Sequence, residues 1–219
     1  MSKSELSKPV LICLYGYPGS GKSYVARSLS SAIKLAHVNS ERIRSELFQA
    51  PRYDAQENAI VLHLMNYMTE EFLSAGLSVV YDANALRLAQ RRNLRALAQD
   101  CKADYLLVWL QVDAETSFAR TQQRDRRTTN DKLAQPRTRA SFDEEIASMQ
   151  NPQDEAYVVI SGKHSSSTQK NTIISKLYQM GIIDSGGVQS SLSSPGLINL
   201  IPNPQAGRVD MSRRNITIR

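Results

Sequence analysis

The stretch from Val10 to Ile33, VLICLYGYPGSGKSYVARSLSSAI, contains the most informative local signal in the sequence. It starts with the apolar run VLICLY and continues through GYPGSGKS, which fits the pattern G-x-x-x-x-G-K-[ST] throughout. The segment that follows, YVARSLSSAI, has the apolar spacing of a helix. At average glycine content, chance should produce this pattern in only about one in 100 chains of this length. The sequence therefore predicts a strand, a glycine-rich loop and a helix in direct succession.

The residue types in this loop are those that hold a phosphate group. Glycines allow positive φ and close approach to a ligand, so several backbone N–H groups can converge on phosphate oxygens. The N-terminus of the following helix adds about half a positive charge at the same point. Lys22 would reach the β- and γ-phosphates, and the hydroxyl of Ser23 would bind Mg²⁺. The predicted nucleotide-binding residues are Gly16, Pro18, Gly19, Ser20, Gly21, Lys22, Ser23 and Tyr24. The alternative is an ordinary turn with an exposed lysine, and the agreement between motif and context disfavours it.

The rest of the chain alternates strand-length apolar runs with helix-length amphipathic stretches. Strands are predicted over Val10 to Tyr15, Ala36 to Asn39, Ser78 to Tyr81, Tyr105 to Val112 and Tyr157 to Ile160. Helices are predicted from about Gly21 to Ile33, Ser40 to Phe48, Asp54 to Ser74, Leu86 to Gln99, Ala114 to Gln123 and Thr168 to Met180. In the third helix the residues at helical spacing are Ile60, Leu64, Tyr67 and Met68. The alternation predicts an α/β fold, a three-layer αβα sandwich around a parallel five-stranded sheet.

Composition narrows the class of protein. The 219 residues are 41% hydrophobic and 22% charged, as expected for a globular α/β domain. The cysteines Cys13 and Cys101 form no CxxC pair, and the histidines His37, His63 and His164 show no metal-ligand spacing and are interpreted as structural. The opening MSKSELSKP is too polar for a secretory signal, and no apolar run approaches the roughly 20 residues that span a bilayer. We therefore expect a cytoplasmic protein with no membrane contact.

The net charge of +6 is concentrated in two segments. Residues 120–139 hold seven Lys or Arg and two Asp, and residues 185–219 hold four Arg and one Asp. A concentrated basic segment suits a phosphate-rich ligand, nucleic acid included. The predicted domain covers residues 1–184, and residues 185–219 combine a Ser/Gly/Pro-rich linker, SGGVQSSLSSPG, with a basic tail. A mobile tail is favoured over an edge strand or partner-binding segment at Asn215 to Ile218.

Three strings carry a resemblance to a known family: VLICLYGYPGSGKSYVARSLS, VNSERIRSELF and VVYDANALRLAQRRNL. Over about Val10 to Arg127 the chain resembles the P-loop kinases of the AAA-type ATP-binding group, which includes polynucleotide 5′-kinase domains, zeta toxins and chloramphenicol phosphotransferase. The resemblance implies ATP and Mg²⁺ as cofactors. It also implies phosphate transfer to a hydroxyl of a small molecule or of a nucleic-acid end. The identity of the acceptor and the oligomeric state stay open.

The second string places an acid just after the second strand. The family motif S-x-D-x-I-R supplies an acid that accepts the proton of the acceptor hydroxyl, and an arginine that contacts phosphate oxygens. The matching catalytic positions are Glu41 and Arg44, and Glu41 is one methylene longer than the usual aspartate. The alternative is that SERIRSEL is only a helix start, with Ser40 as N-cap and Glu41 favouring the helix dipole.

The third string places Asp82 at the carboxyl end of a buried strand, where ligands bind in open parallel sheets. The resemblance implies that Asp82 either binds Mg²⁺ or contacts the acceptor. It also implies that both Asp82 and Lys22 are catalytic residues. Asn84 either faces the same pocket or only caps the next helix. Arg92 matches an arginine of the family in the helix that follows. The alternative is that Arg92 is an exposed helix residue without a role in the site.

Arginines after the fourth strand complete the predicted site. Similar kinases place lid arginines here that close over the nucleotide. The resemblance implies a lid over about residues 124–145, with Arg124 and Arg127 as its catalytic arginines, and the alternative is a solvated basic loop. By analogy with related folds, Gly162 and the residues after it approach the adenine.

Two functions remain open from the sequence. The leading one is an ATP-dependent phosphotransferase. The alternative is an ATP-dependent regulatory or nucleic-acid-binding module with slow hydrolysis, in which the basic lid or tail engages nucleic acid. A GTPase is disfavoured because no N-K-x-D string occurs. An oligomeric AAA+ motor is disfavoured because Asp82 is followed by Ala83 and Asn84 rather than by a second acid.

Overall fold

A computed structural model describes residues 6–83, 87–124 and 137–183. The predictions for Asn84, for Arg127 and for the linker and tail at 185–219 lie outside these residues. No helix within the described ranges has the length and apolar character needed to cross a membrane.

The described residues form a single sheet with helices between its strands. The strands are β1 (Val10–Tyr15), β2 (Leu35–Asn39), β3 (Ser78–Asp82), β4 (Asp104–Gln111) and β5 (Tyr157–Ser161). The helices are α1 (Lys22–Ala32), α2 (Ser40–Leu47), α3 (Ala55–Ser74), α4 (Leu88–Asp100), α5 (Ala114–Gln122), α6 (Arg139–Ala147) and α7 (Ser166–Gln179). The sheet order is β2-β3-β1-β4-β5, and every neighbouring pair is parallel. The predicted fold class is confirmed.

The central strand β1 is buried on both faces, which explains its uninterrupted apolar sequence. Its alternate residues Val10, Ile12 and Leu14 pack in one core cluster with apolar residues of α1 and α7. Its other residues, among them Leu11 and Cys13, pack in a second cluster with residues of α3 and α4. The sheet is therefore the middle of three layers.

The order of the strands locates the ligand site. From β1 the chain passes to the edge strand β2 and returns through β3, and then it continues to β4 and β5 on the other side. The direction of winding therefore reverses at β1. In open parallel sheets ligands bind at the carboxyl ends of the strands beside such a reversal. For this chain, that point is the loop after Tyr15.

The packing of α3 differs from the sequence prediction. Its buried residues are Glu57, Val61, Met65, Thr69 and Leu73. By contrast, Ile60 is 44% exposed and Tyr67 is 54% exposed. Apolar residues occur on more than one face of this helix, so helical spacing alone selected the wrong stripe.

Helix α6 was not predicted. It starts after the N-cap Thr138, whose side chain accepts a hydrogen bond from the backbone N–H of Ser141. Only Phe142 is buried, and its ring lies 5.2 Å from that of Phe118 on α5. A helix that buries one apolar residue has little periodicity to detect.

Candidate active site

The loop between β1 and α1 has the backbone geometry that its glycines predict. Gly16, Gly19 and Gly21 have φ values of 149°, 85° and 101°. A Cβ on Gly16 would lie 2.5 Å from the carbonyl oxygen of Leu110, and a Cβ on Gly19 would overlap that of Ser117. The loop therefore packs closely on the end of β4 and on α5, and no larger residue fits at these two positions.

The side chain of Lys22 lies inside this loop. Its ammonium group donates hydrogen bonds to the carbonyl oxygens of Gly16, at 2.7 Å, and of Tyr17, at 2.9 Å. Burial lowers the pKa of Lys22 to about 8, and the nearby carboxylate of Asp82 opposes this shift. The hydroxyl of Ser20 is buried without a hydrogen-bond partner among the described residues. The loop thus brings together a cation and an unsatisfied polar atom, as a phosphate site requires.

Asp82 lies next to the loop, as predicted, at the end of β3. Its Oδ1 atom accepts a hydrogen bond from the hydroxyl of Ser23 at 3.1 Å. Its Oδ2 atom lies 2.5 Å from Nδ2 of Asn39 and 2.9 Å from Nε2 of His37. The residue is only 3% exposed. Within the described ranges, side chains of β2 and α1 therefore contact both oxygens of this buried carboxylate.

The start of α2 differs from one of the two interpretations of the sequence. Asn39, rather than Ser40, is the N-cap, because its side chain accepts a hydrogen bond from the backbone N–H of Arg42 at 2.8 Å. Ser40 is the first residue of the helix. Glu41 lies in the first turn. The idea that Ser40 caps this helix is therefore wrong.

Several charged groups act on the carboxyl of Glu41. Burial raises the pKa of its carboxyl, and the positive charges of Arg44, Arg137 and Arg124 oppose that shift. Its Oε2 atom is buried without a hydrogen-bond partner within the described ranges. A buried carboxylate oxygen without a partner is costly, and catalytic groups are among those that retain one.

Arg44 is engaged inside the protein. Its guanidinium group lies 3.3 Å from Glu57 and donates a hydrogen bond to Asn58 at 2.6 Å. The same group lies over the ring of Tyr53, 4.7 Å from its centroid. The side chain is 6% exposed. These contacts join α2 to the start of α3. Arg44 also lies close enough to Glu41 for its charge to act on that carboxyl.

The lid segment is described at its two ends only. Arg124 is half-buried and close enough to affect the pKa values of both Lys22 and Glu41. At the other end, Arg137 forms an ion pair with Glu145 of α6 and acts on the same two residues. Arg124 and Arg137 therefore both lie close enough to Lys22 and Glu41 for their charges to act on them.

The loop after β5 reaches the phosphate loop. The carbonyl oxygen of Gly162 accepts a hydrogen bond from Arg120 at 3.0 Å, and a Cβ on Gly162 would lie 2.6 Å from the carbonyl oxygen of Ser20. Beside it, the ends of β4 and β5 border a cleft of about 540 Å³ whose lining includes Tyr17 and Lys163. Gly162 is therefore close to the predicted phosphate site.

Sequence reasoning missed three residues of this site: His37, Asn39 and Arg137. His37 and Asn39 lie two apart on a strand and so share a face, but only the pairing of β2 with β3 shows that this face meets Asp82. Arg137 lies within the predicted lid at about residues 124–145, but only Arg124 and Arg127 are predicted there as catalytic arginines. Arg92, by contrast, is exposed, and its neighbour Arg91 is the buried arginine of α4.

The sheet order, the glycine-rich loop after the central strand and the enclosed lysine define a P-loop nucleotide-binding protein. The sequence profile of the AAA domain family matches residues 11–152, and the chain belongs to that family. The resemblance to P-loop kinases of this group is confirmed. The L-seryl-tRNA(Sec) kinase of Methanococcus maripaludis is 23% identical over 124 residues, which are 56% of this chain and 49% of that protein. The chain thus spans about half the length of this curated relative.

Solved structures with the same fold include kinases. A sugar kinase from Janibacter sp. has a TM-score of 0.58 at 15% identity, over 80% of this chain and 95% of that one. The APS kinase of Mycobacterium tuberculosis, in complex with AMPPNP and APS, has a TM-score of 0.57 at 17% identity, over 78% of this chain and 98% of that one. These likenesses establish the P-loop kinase fold.

Proposed function

We propose that this protein is an ATP-dependent kinase that transfers the γ-phosphate of ATP to a hydroxyl group. The observation that carries the proposal is the position of Asp82 beside Lys22 and Ser23 of the phosphate loop, with a second, differently surrounded acid, Glu41, near enough for the charge of Asp82 to act on it. Phosphoryl transfer depends mainly on positioning and on charge stabilisation, and these residues provide both.

The oxygen atoms at the loop fit a magnesium ion. Mg²⁺ prefers hard oxygen ligands and usually keeps several waters, binding through one or two protein groups and the phosphates of the substrate. Ser23 Oγ and Asp82 Oδ1 lie 3.1 Å apart and supply such a pair. Among the described residues no group of three or more His, Cys, Asp or Glu could hold a metal by itself. When bound, the ion would neutralise charge on the β- and γ-phosphates.

The surroundings of the two acids support different roles. Both oxygens of Asp82 already have hydrogen-bond partners, so this carboxylate suits a fixed role beside the metal. Glu41 has a buried oxygen with no partner among the described residues and a raised pKa, which brings a carboxylate closer to the range of an effective general base. In the proposed reaction Glu41 accepts the proton of the acceptor hydroxyl. The hydroxyl oxygen then forms a bond to the γ-phosphorus while the bond to the β-phosphate oxygen breaks, which releases ADP.

The cations at the site would stabilise the transferring phosphate. Lys22 lies inside the loop, and Arg124 and Arg137 lie close enough to alter its pKa. Arginines that close over the γ-phosphate neutralise the charge that spreads over its oxygens during transfer. We propose Arg124, and Arg127 with it, as lid arginines, with Arg137 as an additional one.

The acceptor is proposed only as a class, a hydroxyl of a small molecule or of a nucleic-acid end. The name of the curated relative favours an acceptor attached to RNA, and the net charge of +6 is compatible with one. Two of the basic residues near the lid already have partners: Arg137 pairs with Glu145, and Arg139 pairs with Glu115 and Asp143. These contacts reduce the positive charge available for a long nucleic acid, so a single end or a small molecule fits as well.

A transfer assay tests the proposal. The protein is incubated with γ-labelled ATP, Mg²⁺ and a panel of nucleosides, oligonucleotide 5′-ends, aminoacylated RNAs, nucleotide sugars and small alcohols. Label should move to one class of acceptor. Lys22→Ala should lose both ATP binding and transfer, because the ammonium group is the cation inside the loop.

Two outcomes would contradict the proposal. If calorimetry with well-folded protein detects no nucleotide uptake, the site does not bind ATP. If ATP is bound and slowly hydrolysed without transfer to any acceptor, the regulatory module is the better function.

A further inference from the structure

We propose that His37, together with Asn39, is a positioning residue that holds the Asp82 carboxylate in the orientation needed beside Ser23. The inference is based on one arrangement. Both side chains contact the Oδ2 atom of Asp82, and Ser23 contacts its Oδ1 atom. The inference rests on the proposed function, because it concerns the same magnesium-binding pair.

The sheet itself brings the three residues together. His37 and Asn39 are two positions apart on β2, so their side chains leave the same face of the strand. Strand β2 pairs with β3 in parallel, and Asn39 lies opposite Asp82 in the register. Both nitrogen atoms therefore reach the acid from the neighbouring strand.

The two oxygens of Asp82 have separate partners. Oδ2 lies 2.9 Å from Nε2 of His37 and 2.5 Å from Nδ2 of Asn39, and Oδ1 accepts the hydroxyl of Ser23. A carboxylate only accepts hydrogen bonds, so His37 must present Nε2–H to it. Because Asp82 is 3% exposed, water cannot readily replace a lost donor. The two donors thus prevent the carboxylate from rotating away from Ser23.

The amide of Asn39 has a second contact that fixes its own orientation. Its Oδ1 atom accepts the backbone N–H of Arg42 and caps α2, which leaves Nδ2 directed at Asp82. Glu41 lies in the first turn of the same helix. One amide therefore links the acid proposed for the metal to the helix that carries the proposed base.

The expected effect of losing His37 is a weaker response to Mg²⁺. Partners that orient a metal ligand typically contribute about 10- to 100-fold to metal affinity. The affinity for a non-hydrolysable ATP analogue is measured by calorimetry at increasing Mg²⁺ concentration. The Mg²⁺ concentration that gives half of the increase in affinity should be about 10- to 100-fold higher in His37→Ala than in the wild type. Binding of the analogue in EDTA should stay at the wild-type level, because the phosphate loop is intact. This readout does not depend on an acceptor.

Matched variants separate positioning from a general structural effect. His37→Gln retains an N–H donor at a similar distance from the backbone and should restore much of the Mg²⁺ response. His63→Ala removes an exposed histidine of α3, outside these contacts, and should match the wild type. Asn39→Ser keeps a residue type favoured at N-caps and removes the amide donor, so it should also weaken the Mg²⁺ response. Thermal melting checks that each variant is folded.

The outcomes distinguish this inference from the proposed function. If folded His37→Ala and Asn39→Ser both respond to Mg²⁺ as the wild type does, the positioning role is wrong and the kinase proposal stands. If the wild type binds no nucleotide, or binds it without any response to Mg²⁺, the site proposal fails and this inference fails with it.

Discussion

At the scale of single residues, the two acids of the site are distinguished by what surrounds their oxygens. Asp82 accepts hydrogen bonds on both oxygens, from Ser23 on one and from Asn39 and His37 on the other. Glu41 has a buried oxygen with no partner among the described residues. Burial raises the pKa of Glu41, whereas the carboxylate of Asp82 is held by three hydrogen-bond contacts.

Replacing Glu41 with Gln should separate binding from chemistry. Glu41→Gln keeps the size of the side chain and removes the proton acceptor, so ATP affinity should stay near wild type while kcat falls by about 10²- to 10⁴-fold. Because burial raises the pKa of Glu41, its carboxylate form is lost at a higher pH than in an ordinary glutamate. In the wild type, kcat/KM for the acceptor should therefore decrease as the pH falls through that raised pKa, and residual activity of Glu41→Gln should lack this decrease. Equal transfer rates in the two proteins would remove Glu41 from the mechanism.

The sequence predicted those residues of the site that belong to contiguous motifs. Gly16, Lys22 and Ser23 lie in one loop whose spacing follows from the phosphate it holds, and Asp82 ends a recognisable strand. His37 was interpreted as structural because its role depends on which strand lies beside β2. That neighbour, β3, is about 40 residues further along the chain, and single-strand patterns carry no information on pairing.

At the scale of secondary-structure elements, a buried ion pair connects α4 to the segment before β5. The guanidinium group of Arg91 is fully buried and lies 2.7 Å from Glu155. It also donates a hydrogen bond to the backbone carbonyl of Gln150 at 2.9 Å and lies over the ring of Tyr15. The sequence could not select Arg91 over Arg92, because the phase of a helix relative to the core depends on its packing partners. The wrong stripe on α3 has the same physical origin.

Removing Arg91 should destabilise the fold. Arg91→Ala removes the closer of the two arginines that the structure describes at the buried carboxylate of Glu155, and breaking a buried pair in this way costs about 3–5 kcal/mol. Urea denaturation should show a correspondingly lower midpoint. The matched control is Arg92→Ala at the next, exposed position, which should unfold at the wild-type midpoint. Equal losses in the two variants would contradict the assignment of Arg91 as the structural arginine.

At the scale of the whole molecule, the two ends of the described part of the chain, near residues 7 and 182, contact each other. Ile182 and Ile183 belong to the core cluster that contains β1 and α7. The backbone N–H of Ser7 donates to the carbonyl of Ile182 at 2.9 Å, which joins the two ends of this part. We propose that residues 1–184 belong to the ATP-binding domain and that residues 185–219 are a separate linker and tail.

A chain that ends at residue 184 tests this boundary. It keeps both isoleucines, so it should melt within a few degrees of the full chain. Mg·ATP at about 100 times its Kd should add about 2.7 kcal/mol of stability to either protein, seen as equal upward shifts in Tm. A truncated chain that does not fold, or that has lost the ATP-dependent shift, would place part of the domain beyond residue 184.

The aromatic residues along β1, β4 and β5 have a practical consequence. Trp109, the only tryptophan of the chain, lies on β4 with its ring 5.7 Å from that of Tyr15 and 5.6 Å from that of Tyr157. Tyr15 directly precedes the first glycine of the phosphate loop. The protein therefore contains a single indole fluorophore next to its nucleotide site, flanked by two phenols that can pass excitation energy to it, so occupancy can be followed optically without attaching a dye.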